Sequence, residues 1–283
     1  MWKFKVGLVL ALLVLTSAMW AQPPSWAHKP EGRPLKDPTP ASQRKTLPPA
    51  DGAVMDVLIV VAPGLVPDAQ VFAQALVDQT NADYAASGIA SRQRLVGAYV
   101  PPVYQPTDNT LTDLYALQSP TDGQLDEVHS LRNSLAADLV HLVGRYSSAC
   151  GQGWITASAT YAFSVSDVGC ALANRTFAHE TGHNIGLNHD PANAADGGAT
   201  AYAYGFIAPD CSFRTIMAYP VCGPRVGLFS DPARTFNGQP TGTATQNNAQ
   251  VIRDRAATVA AFRGTVVVES PKPTKPCRGK KCR

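Results

Sequence analysis

The chain has 283 residues, which is enough for one or two domains, and its 45% hydrophobic content is normal for a globular protein. The net charge of +3 is unevenly distributed. Residues 50–271 contain 11 arginines, no lysine and 19 acidic residues, a net charge of −8. An acidic body repels a phosphate backbone, so this distribution argues against a nucleic-acid partner.

The N-terminus has the pattern of a secretory signal. Lys3 and Lys5 precede an apolar run from Val6 to Trp20, which is short for a membrane span. We therefore predict a signal peptide at residues 1–21 and a secreted, extracellular protein, with a periplasmic location or an uncleaved anchor as alternatives. Residues 22–52 are rich in proline and basic side chains and lack helix or strand periodicity, which predicts an extended linker or a short propeptide.

From residue 53 onward, continuous runs of apolar residues alternate with stretches in which apolar residues recur at helical spacing. Strands are predicted at residues 54–62, 94–104, 138–144, 154–157 and 161–168. Helices are predicted at residues 68–87, at 122–135, at 174–186 and at 245–263. This alternation predicts an α/β fold with a mostly parallel sheet.

The stretch around His179 concentrates three of the six histidines in the pattern H-E-x-x-H-x-x-G-x-x-H. On a helix, residues four apart share a face, so His179 and His183 present two imidazoles side by side as Zn²⁺ ligands. Gly186 can adopt the left-handed conformation that ends a helix, which lets His189 turn back as a third ligand. Three protein ligands leave a fourth position for water, as in a catalytic zinc site, and Glu180 lies where a carboxylate can take a proton from that water. The sequence therefore predicts one catalytic Zn²⁺ with a general base beside it.

A methionine segment follows further along the chain, where residues 213–219 read FRTIMAY. The long histidine motif followed by such a segment resembles the metzincin zinc metallopeptidases. The resemblance covers roughly residues 53–264 and is strongest from 177 to 232. Asp190, directly after the third histidine, resembles the reprolysin (adamalysin-like) group. With FSDP at residues 229–232, the chain looks closest to compact bacterial secreted enzymes such as the peptidyl-Asp metalloendopeptidase group.

This resemblance implies a metzincin fold. Its expected parts are a twisted, mostly parallel five-stranded sheet with helices above it, and an irregular lower subdomain with a methionine turn and a C-terminal helix. The catalytic domain at residues 53–264 is accordingly expected to divide into an upper part, 53–186, and a lower part, 187–264, with a basic tail at 265–283. The strand nearest the cleft is expected to be antiparallel, around residues 153–158, and to pair with the substrate backbone.

The resemblance also implies roles for single residues. Met217 is expected in a tight turn beneath the zinc, and Asp190 is expected to be a structural acid tied to the lower subdomain. Tyr219 stands where astacin-like and serralysin-like enzymes carry a zinc-binding tyrosine that stabilises the oxyanion, and a packing role is the alternative. The S1′ pocket is expected to follow Met217, where Arg225 or Arg214 would favour acidic P1′ side chains.

Many metzincins are held latent by a propeptide cysteine or carboxylate on the zinc. No cysteine occurs before Cys150, which excludes a thiol switch, and Asp37 is a candidate carboxylate. The sequence leaves open whether residues 22–52 inhibit the enzyme.

Six cysteines behind a signal peptide imply disulfides rather than metal ligands, since none has the C-x-x-C spacing. Fifteen pairings are possible, and the sequence alone does not choose among them. Proximity along the chain and the layout implied by the resemblance favour Cys150–Cys170, Cys211–Cys222 and Cys277–Cys282.

Taken together, these features predict a zinc metalloendopeptidase that acts on protein or peptide substrates, with Glu180 as general base. We expect a monomer without a stable membrane span, and a calcium site is not indicated. Two other classes stay open. One is a zinc-binding toxin or inhibitor-like protein without turnover, against which the retained Glu180 argues. The other is a surface-attached protein that uses its basic tail, which release into the medium would distinguish.

Overall fold

A computed structural model of the chain describes residues 29–39, 52–155, 158–194 and 197–264. Its strands are β1 (Leu35–Lys36), β2 (Val54–Val61), β3 (Arg92–Tyr99), β4 (Leu139–Gly144), β5 (Gly151–Ile155), β6 (Phe163–Asp167), β7 (Thr235–Phe236) and β8 (Gln239–Pro240). Its helices are α1 (Ala69–Ala86), α2 (Thr110–Gln118), α3 (Asp126–Ser134), α4 (Val168–Ala171), α5 (Thr176–Ile185) and α6 (Asn248–Val259). The predicted signal peptide, the basic tail and the Cys277–Cys282 pair lie outside the described residues.

Six strands form one sheet in the order β1-β5-β6-β4-β2-β3, and every neighbouring pair is parallel except β5 with β6. This confirms the predicted α/β class and the mostly parallel sheet with an antiparallel strand beside the cleft. The predicted number of five strands is wrong. The sixth strand, β1, comes from the proline-rich segment and pairs with β5, placing Leu35 opposite Trp154. An edge strand offers unpaired backbone groups to any extended segment, whatever its side-chain pattern.

Two helices differ from the sequence expectation. Helix α2 lies between residues 104 and 122, where no helix or strand was predicted, and it begins after Asn109, whose side chain accepts hydrogen bonds from the first-turn amides. A nine-residue helix has too few turns to show a clear apolar period. Helix α3 begins at Asp126 rather than at Asp122, because the Asp126 carboxylate accepts hydrogen bonds from the amides of Asp122 and Gly123 and holds them in a turn. Other element boundaries differ by a few residues.

Strand β2 is buried on both faces. Val57, Ile59 and Val61 pack in the apolar cluster that includes residues of α1, α5 and α6, whereas Leu58 and Val60 pack with residues of α2 and α3. Alternate residues of a strand point to opposite faces, which is why a strand between two helical layers is continuously apolar. The sheet thus lies between helices, and α5 rests on it as a fixed support for the histidine motif.

Among the described residues of 187–264, regular structure is limited to the β7–β8 hairpin and helix α6. Disulfides join Cys150 to Cys170 and Cys211 to Cys222, the first two of the three favoured pairs. The second closes the loop that carries Met217. Within the described ranges, no helix is both long and apolar enough to cross a membrane.

Candidate metal centre and substrate cleft

Helix α5 carries the first two predicted zinc ligands. The rings of His179 and His183 lie 4.8 Å apart between centroids, on one side of the helix. The helix ends at Gly186, whose φ of 111° lies in the left-handed region that favours glycine. After this turn the chain brings His189 back against the helix, and all three histidines are fully buried.

The three imidazoles converge on one point. The Nε2 atom of His189 lies 3.0 Å from that of His179 and 3.1 Å from that of His183. A tetrahedral zinc ion with Zn–N bonds of about 2.0–2.1 Å needs ligand nitrogens about 3.3–3.4 Å apart. The donor set and its spacing therefore fit one zinc ion.

Backbone carbonyls orient two of the rings. The Nδ1 atom of His179 lies 2.8 Å from the carbonyl oxygen of Ile216, and that of His183 lies 2.8 Å from the carbonyl oxygen of Leu187. A carbonyl only accepts, so each Nδ1 atom carries the proton and each Nε2 atom is free for a metal. Burial lowers the pKa of His183 to about 4, and it lowers the pKa values of His179 and His189 well below their usual range. The triad is therefore held as neutral imidazole, which is the metal-binding form.

Met217 lies fully buried against helix α5. A Cβ atom added to Gly182 would lie 2.8 Å from the sulfur of Met217, so the methionine fits here only because residue 182 has no side chain. The next residues are tied to the histidine loop, since the amide of Tyr219 donates to the Asp190 carboxylate at 3.0 Å. Asp190 thus links the third histidine to the methionine segment.

Glu180 is fully buried between α5 and β5. A Cβ atom on Gly151 would lie 2.5 Å from its Oε1 atom, so the glycines of β5 make room for this side chain. A carboxylate oxygen of Glu180 lies within 4.8 Å of the atoms of His179 and Glu31 that could bind a metal. Among the described residues, neither carboxylate oxygen of Glu180 has a hydrogen-bond partner. Burial raises the pKa of Glu180 well above its usual value; Glu31 adds to the effect and Arg225 opposes it.

Tyr219 lies beside the triad. Its ring packs edge-on against His189 with 4.2 Å between centroids, and its hydroxyl donates to the backbone carbonyl of Glu31 at 3.2 Å. Burial raises the pKa of Tyr219 to about 12, and the carboxylate of Glu31 adds to this. The phenol therefore stays protonated at neutral pH and remains a hydrogen-bond donor.

A pocket of about 420 Å³ lies between the N-terminal end of α5 and the residues that follow Met217, and it has basic walls. The Arg225 side chain is only 3% exposed, and its guanidinium donates to the carbonyls of Asn174 and Ala218 at 2.8 and 3.2 Å. Arg214 lines the same pocket, and burial lowers its pKa to about 10, so it also stays charged at neutral pH. Two fixed guanidinium groups make this pocket suitable for a carboxylate.

The structure adds Glu31, which the sequence did not identify as a site residue. Its side chain is buried, and its Oε1 atom lies 2.7 Å from Nη2 of Arg225. A carboxylate oxygen of Glu31 also lies within 4.8 Å of the atoms of His179 and Glu180 that could bind a metal. A carboxylate from the N-terminal segment therefore reaches both the basic pocket and the metal ligands.

Asp37, the carboxylate suggested for such a role, has a different environment. It accepts hydrogen bonds from the hydroxyl of Ser158 and from the amide of Thr39, both at 2.7 Å. Neither metal-capable cluster found among the described residues includes it. No local signal distinguishes Glu31 from Asp37, because both lie in the same aperiodic, proline-rich stretch.

Comparisons with known proteins point to metallopeptidases, in agreement with the three converging histidines. Residues 53–247 match the reprolysin-like metallopeptidases of family M12B. The peptidyl-Asp metalloendopeptidase of Stenotrophomonas maltophilia (strain K279a) is 35% identical over 201 residues, which cover 69% of this chain and 48% of that protein. The protein of the same name from Xanthomonas campestris pv. campestris is 35% identical over 198 residues, covering 69% of this chain and 47% of that protein. The chain thus spans about half the length of the curated relatives it matches.

A solved structure also shares the fold. A chain in the "Structure of a chaperone-substrate complex" superposes with a TM-score of 0.61 and 24% identity, covering 76% of this chain and 35% of that chain. The family match extends over more than half of the sequence and includes the complete histidine motif. The chain therefore belongs to the reprolysin-like metallopeptidases of family M12B.

Proposed function

We propose that the protein is a secreted zinc endopeptidase that hydrolyses protein substrates at the peptide bond preceding an acidic residue. The observation that carries this proposal is the position of Arg225. Its buried guanidinium holds a carboxylate, that of Glu31, at 2.7 Å, and the same carboxylate lies next to the metal ligands. The relatives named peptidyl-Asp metalloendopeptidases support the same substrate class.

The proposed hydrolysis follows from the residues that surround the three histidines. When bound, zinc polarises the scissile carbonyl and makes the attacking water more acidic. Glu180 accepts the water proton as the water oxygen bonds to the carbonyl carbon. It then delivers this proton to the leaving nitrogen as the C–N bond breaks. Tyr219 donates a hydrogen bond to the carbonyl oxygen as negative charge develops there.

Two features position the substrate. In the six-stranded sheet only the two-residue strand β1 lies outside β5, so an extended peptide can add to β5 in place of β1. Arg225 and Arg214 then bind the side chain that follows the scissile bond. An aspartate there forms a charge-assisted, bidentate interaction, which the isosteric asparagine cannot form.

Three quenched peptides that differ only after the scissile bond, with Asp, Asn or Leu, test this proposal. We expect the zinc-loaded protein to cleave the Asp peptide at least about tenfold faster than the Asn peptide, as the loss of one charge-assisted contact predicts. A chelator and the isosteric variant Glu180→Gln should both abolish cleavage. Preference for Leu contradicts the role of the pocket, and full activity of Glu180→Gln contradicts the role of the base.

We also infer that residues 1–21 direct secretion and that the enzyme works as a monomer. Disulfides persist in oxidising compartments, and two are present among the described residues. The metal ligands, the base and the pocket all come from one chain, so no second copy is needed to complete the site. Fractionation of cells and medium, with light scattering of the purified protein, tests both inferences.

A further inference from the structure

We propose that Asn184 positions strand β5, and with it an extended substrate, over the metal centre. The side chain lies on α5 directly after His183, and it joins the end of β5 to this helix. It acts through the strand rather than on the substrate itself, which makes it a positioning residue. The inference deepens the proposed function, because it rests on the addition of an extended peptide to β5.

The Asn184 amide lies at the point where β5 and β6 separate. The antiparallel pairing of these strands ends at Gly153 and Ser164. The next two carbonyls, those of Trp154 and Phe163, both accept from the side-chain nitrogen of Asn184, at 3.0 and 2.9 Å. One amide group therefore satisfies a carbonyl on each strand and links both strands to α5.

Hydrogen-bond chemistry fixes the orientation of this side chain. A carbonyl oxygen only accepts, so the nitrogen of the amide, and not its oxygen, must face Trp154 and Phe163. Asn184 is fully buried, and among the described residues its Oδ1 atom has no hydrogen-bond partner. A buried acceptor without a partner lowers stability, so the filling of the core does not explain an asparagine here. The two donated hydrogen bonds do.

Strand β5 lies directly against the part of α5 that carries the catalytic motif. A Cβ atom added to Gly153 would lie 3.1 Å from the backbone oxygen of Glu180 and 3.4 Å from the Cβ atom of His183. Glu180, His183 and Asn184 lie within little more than one helical turn. The link from Asn184 to Trp154 therefore sets how far the backbone of β5 lies from the base and from the metal ligands.

This end of β5 is also where an added strand pairs. Trp154 and Ile155 pair with Leu35 and Lys36 of β1, and the carbonyl of Ile155 accepts from the amide of Asp37 at 3.1 Å. An extended substrate that uses the same backbone groups has its scissile carbonyl placed by the position of β5. A displacement of about 1 Å in such a contact can cost about 100-fold in rate.

Substrate length separates positioning from a general effect on stability. Two quenched Asp peptides are compared on the zinc-loaded full chain, one with about two residues on each side of the scissile bond and one with about five. The longer peptide can pair along the whole of β5, so its advantage in kcat/KM measures this pairing. We expect Asn184→Leu, which keeps the size but removes the donors, to reduce the advantage at least about tenfold. The loss should be mainly in kcat, because the peptide still binds but is displaced.

Gln93→Met is the matched control. Gln93 is also buried, its side-chain amide donates to the hydroxyl of Thr181 on α5 at 3.1 Å, and its Oε1 atom has no partner among the described residues. It makes the same kind of link between α5 and the sheet, but it lies on β3 at the edge far from β5. Gln93→Met should keep the advantage of the longer peptide even where its melting temperature falls. If Asn184→Leu does not fold, Asn184→Ser repeats the test, because serine is too short to reach both carbonyls.

Amide hydrogen exchange gives a readout that needs no turnover. Exchange of residues 151–155 should rise in Asn184→Leu and should stay at the wild-type level in Gln93→Met. If the wild type prefers the longer peptide and Asn184→Leu keeps this preference in full, the role of Asn184 is overturned.

Failure of the proposed function gives a different result. If the wild type itself shows no preference for the longer peptide, the addition of substrate to β5 is wrong. Exchange then decides the remaining point: a rise in Asn184→Leu still supports the placement of β5 by Asn184, and unchanged exchange overturns it.

Discussion

Replacing Arg225 by methionine should remove the preference for an acidic residue after the scissile bond. The side chain is 3% exposed and lies 2.7 Å from the Glu31 carboxylate, which stands for the substrate carboxylate. Methionine keeps much of the length and apolar stem but removes the charge. It also leaves the carbonyls of Asn174 and Ala218 without the donors they now have, so the melting temperature must be measured alongside.

The expected magnitude follows from burial and distance. Two unit charges about 4 Å apart attract by about 4 kcal/mol at an effective dielectric constant of about 20. Stripping water from the substrate carboxylate offsets part of this, which leaves roughly 2–3 kcal/mol. The Asp-to-Asn ratio of kcat/KM should therefore fall by roughly 30- to 150-fold.

Measuring a ratio makes the assay independent of the N-terminal segment. Both peptides meet the same N-terminal segment, so any effect of that segment on binding cancels in the ratio, even though Arg225→Met removes the ion-pair partner of Glu31. Arg94→Met is the matched control, because Arg94 also pairs with a carboxylate at 2.7 Å but lies on β3 at the far edge of the sheet. An Asp-to-Asn ratio in Arg225→Met that equals the wild-type ratio would refute the assignment of Arg225 as the specificity residue.

Three further predictions concern the scaffold. Gly205→Ala should lower stability by about 1–3 kcal/mol and weaken zinc retention, because the added Cβ would lie 2.7 Å from the backbone nitrogen of Ala218 beside Met217; an unchanged melting temperature and zinc content would contradict this. His141 is buried between two serine hydroxyls, and burial lowers its pKa to about 3. Since the unfolded chain binds this proton near pH 6.5, the stability associated with neutral His141 is complete above that pH and is lost as pH falls toward 3, at up to about 1.4 kcal/mol per pH unit. Between pH 7 and pH 5, urea unfolding should show a smaller loss of unfolding free energy in His141→Gln than in the wild type. Equal losses in the two proteins would exclude this role of His141. Replacing Cys211 and Cys222 by serine removes the link between two residues 11 positions apart and should lower the free energy of unfolding by about 2–3 kcal/mol. A melting temperature equal to that of the wild type would contradict this.

Several features were predictable because their geometry is local. The spacing of His179 and His183 within one helical turn, and the left-handed turn at Gly186, bring three ligands together within eleven residues. The strand at residues 54–61 was visible because a strand buried on both faces is almost continuously apolar, and only Asp56 interrupts the run. In each case a short stretch of residues contains the whole physical cause.

Other features depend on contacts between distant segments. The nine residues of α2 are stabilised by packing on the sheet rather than by their own periodicity, so the sequence predicted no helix there. The sixth strand is decided by the free edge of β5, because backbone hydrogen bonds accept an extended segment of almost any sequence.

The choice of carboxylate at the site shows this most clearly. The sequence alone predicted the zinc ligands and the base, since these residues belong to one motif with fixed local spacing, and the family resemblance predicted that Arg225 or Arg214 binds an acid. Only the tertiary structure decided that Glu31, rather than Asp37, reaches Arg225. That outcome is set by the register in which residues 29–39 pair with β5. The register between two segments far apart in the chain cannot be read from the residue pattern of either segment.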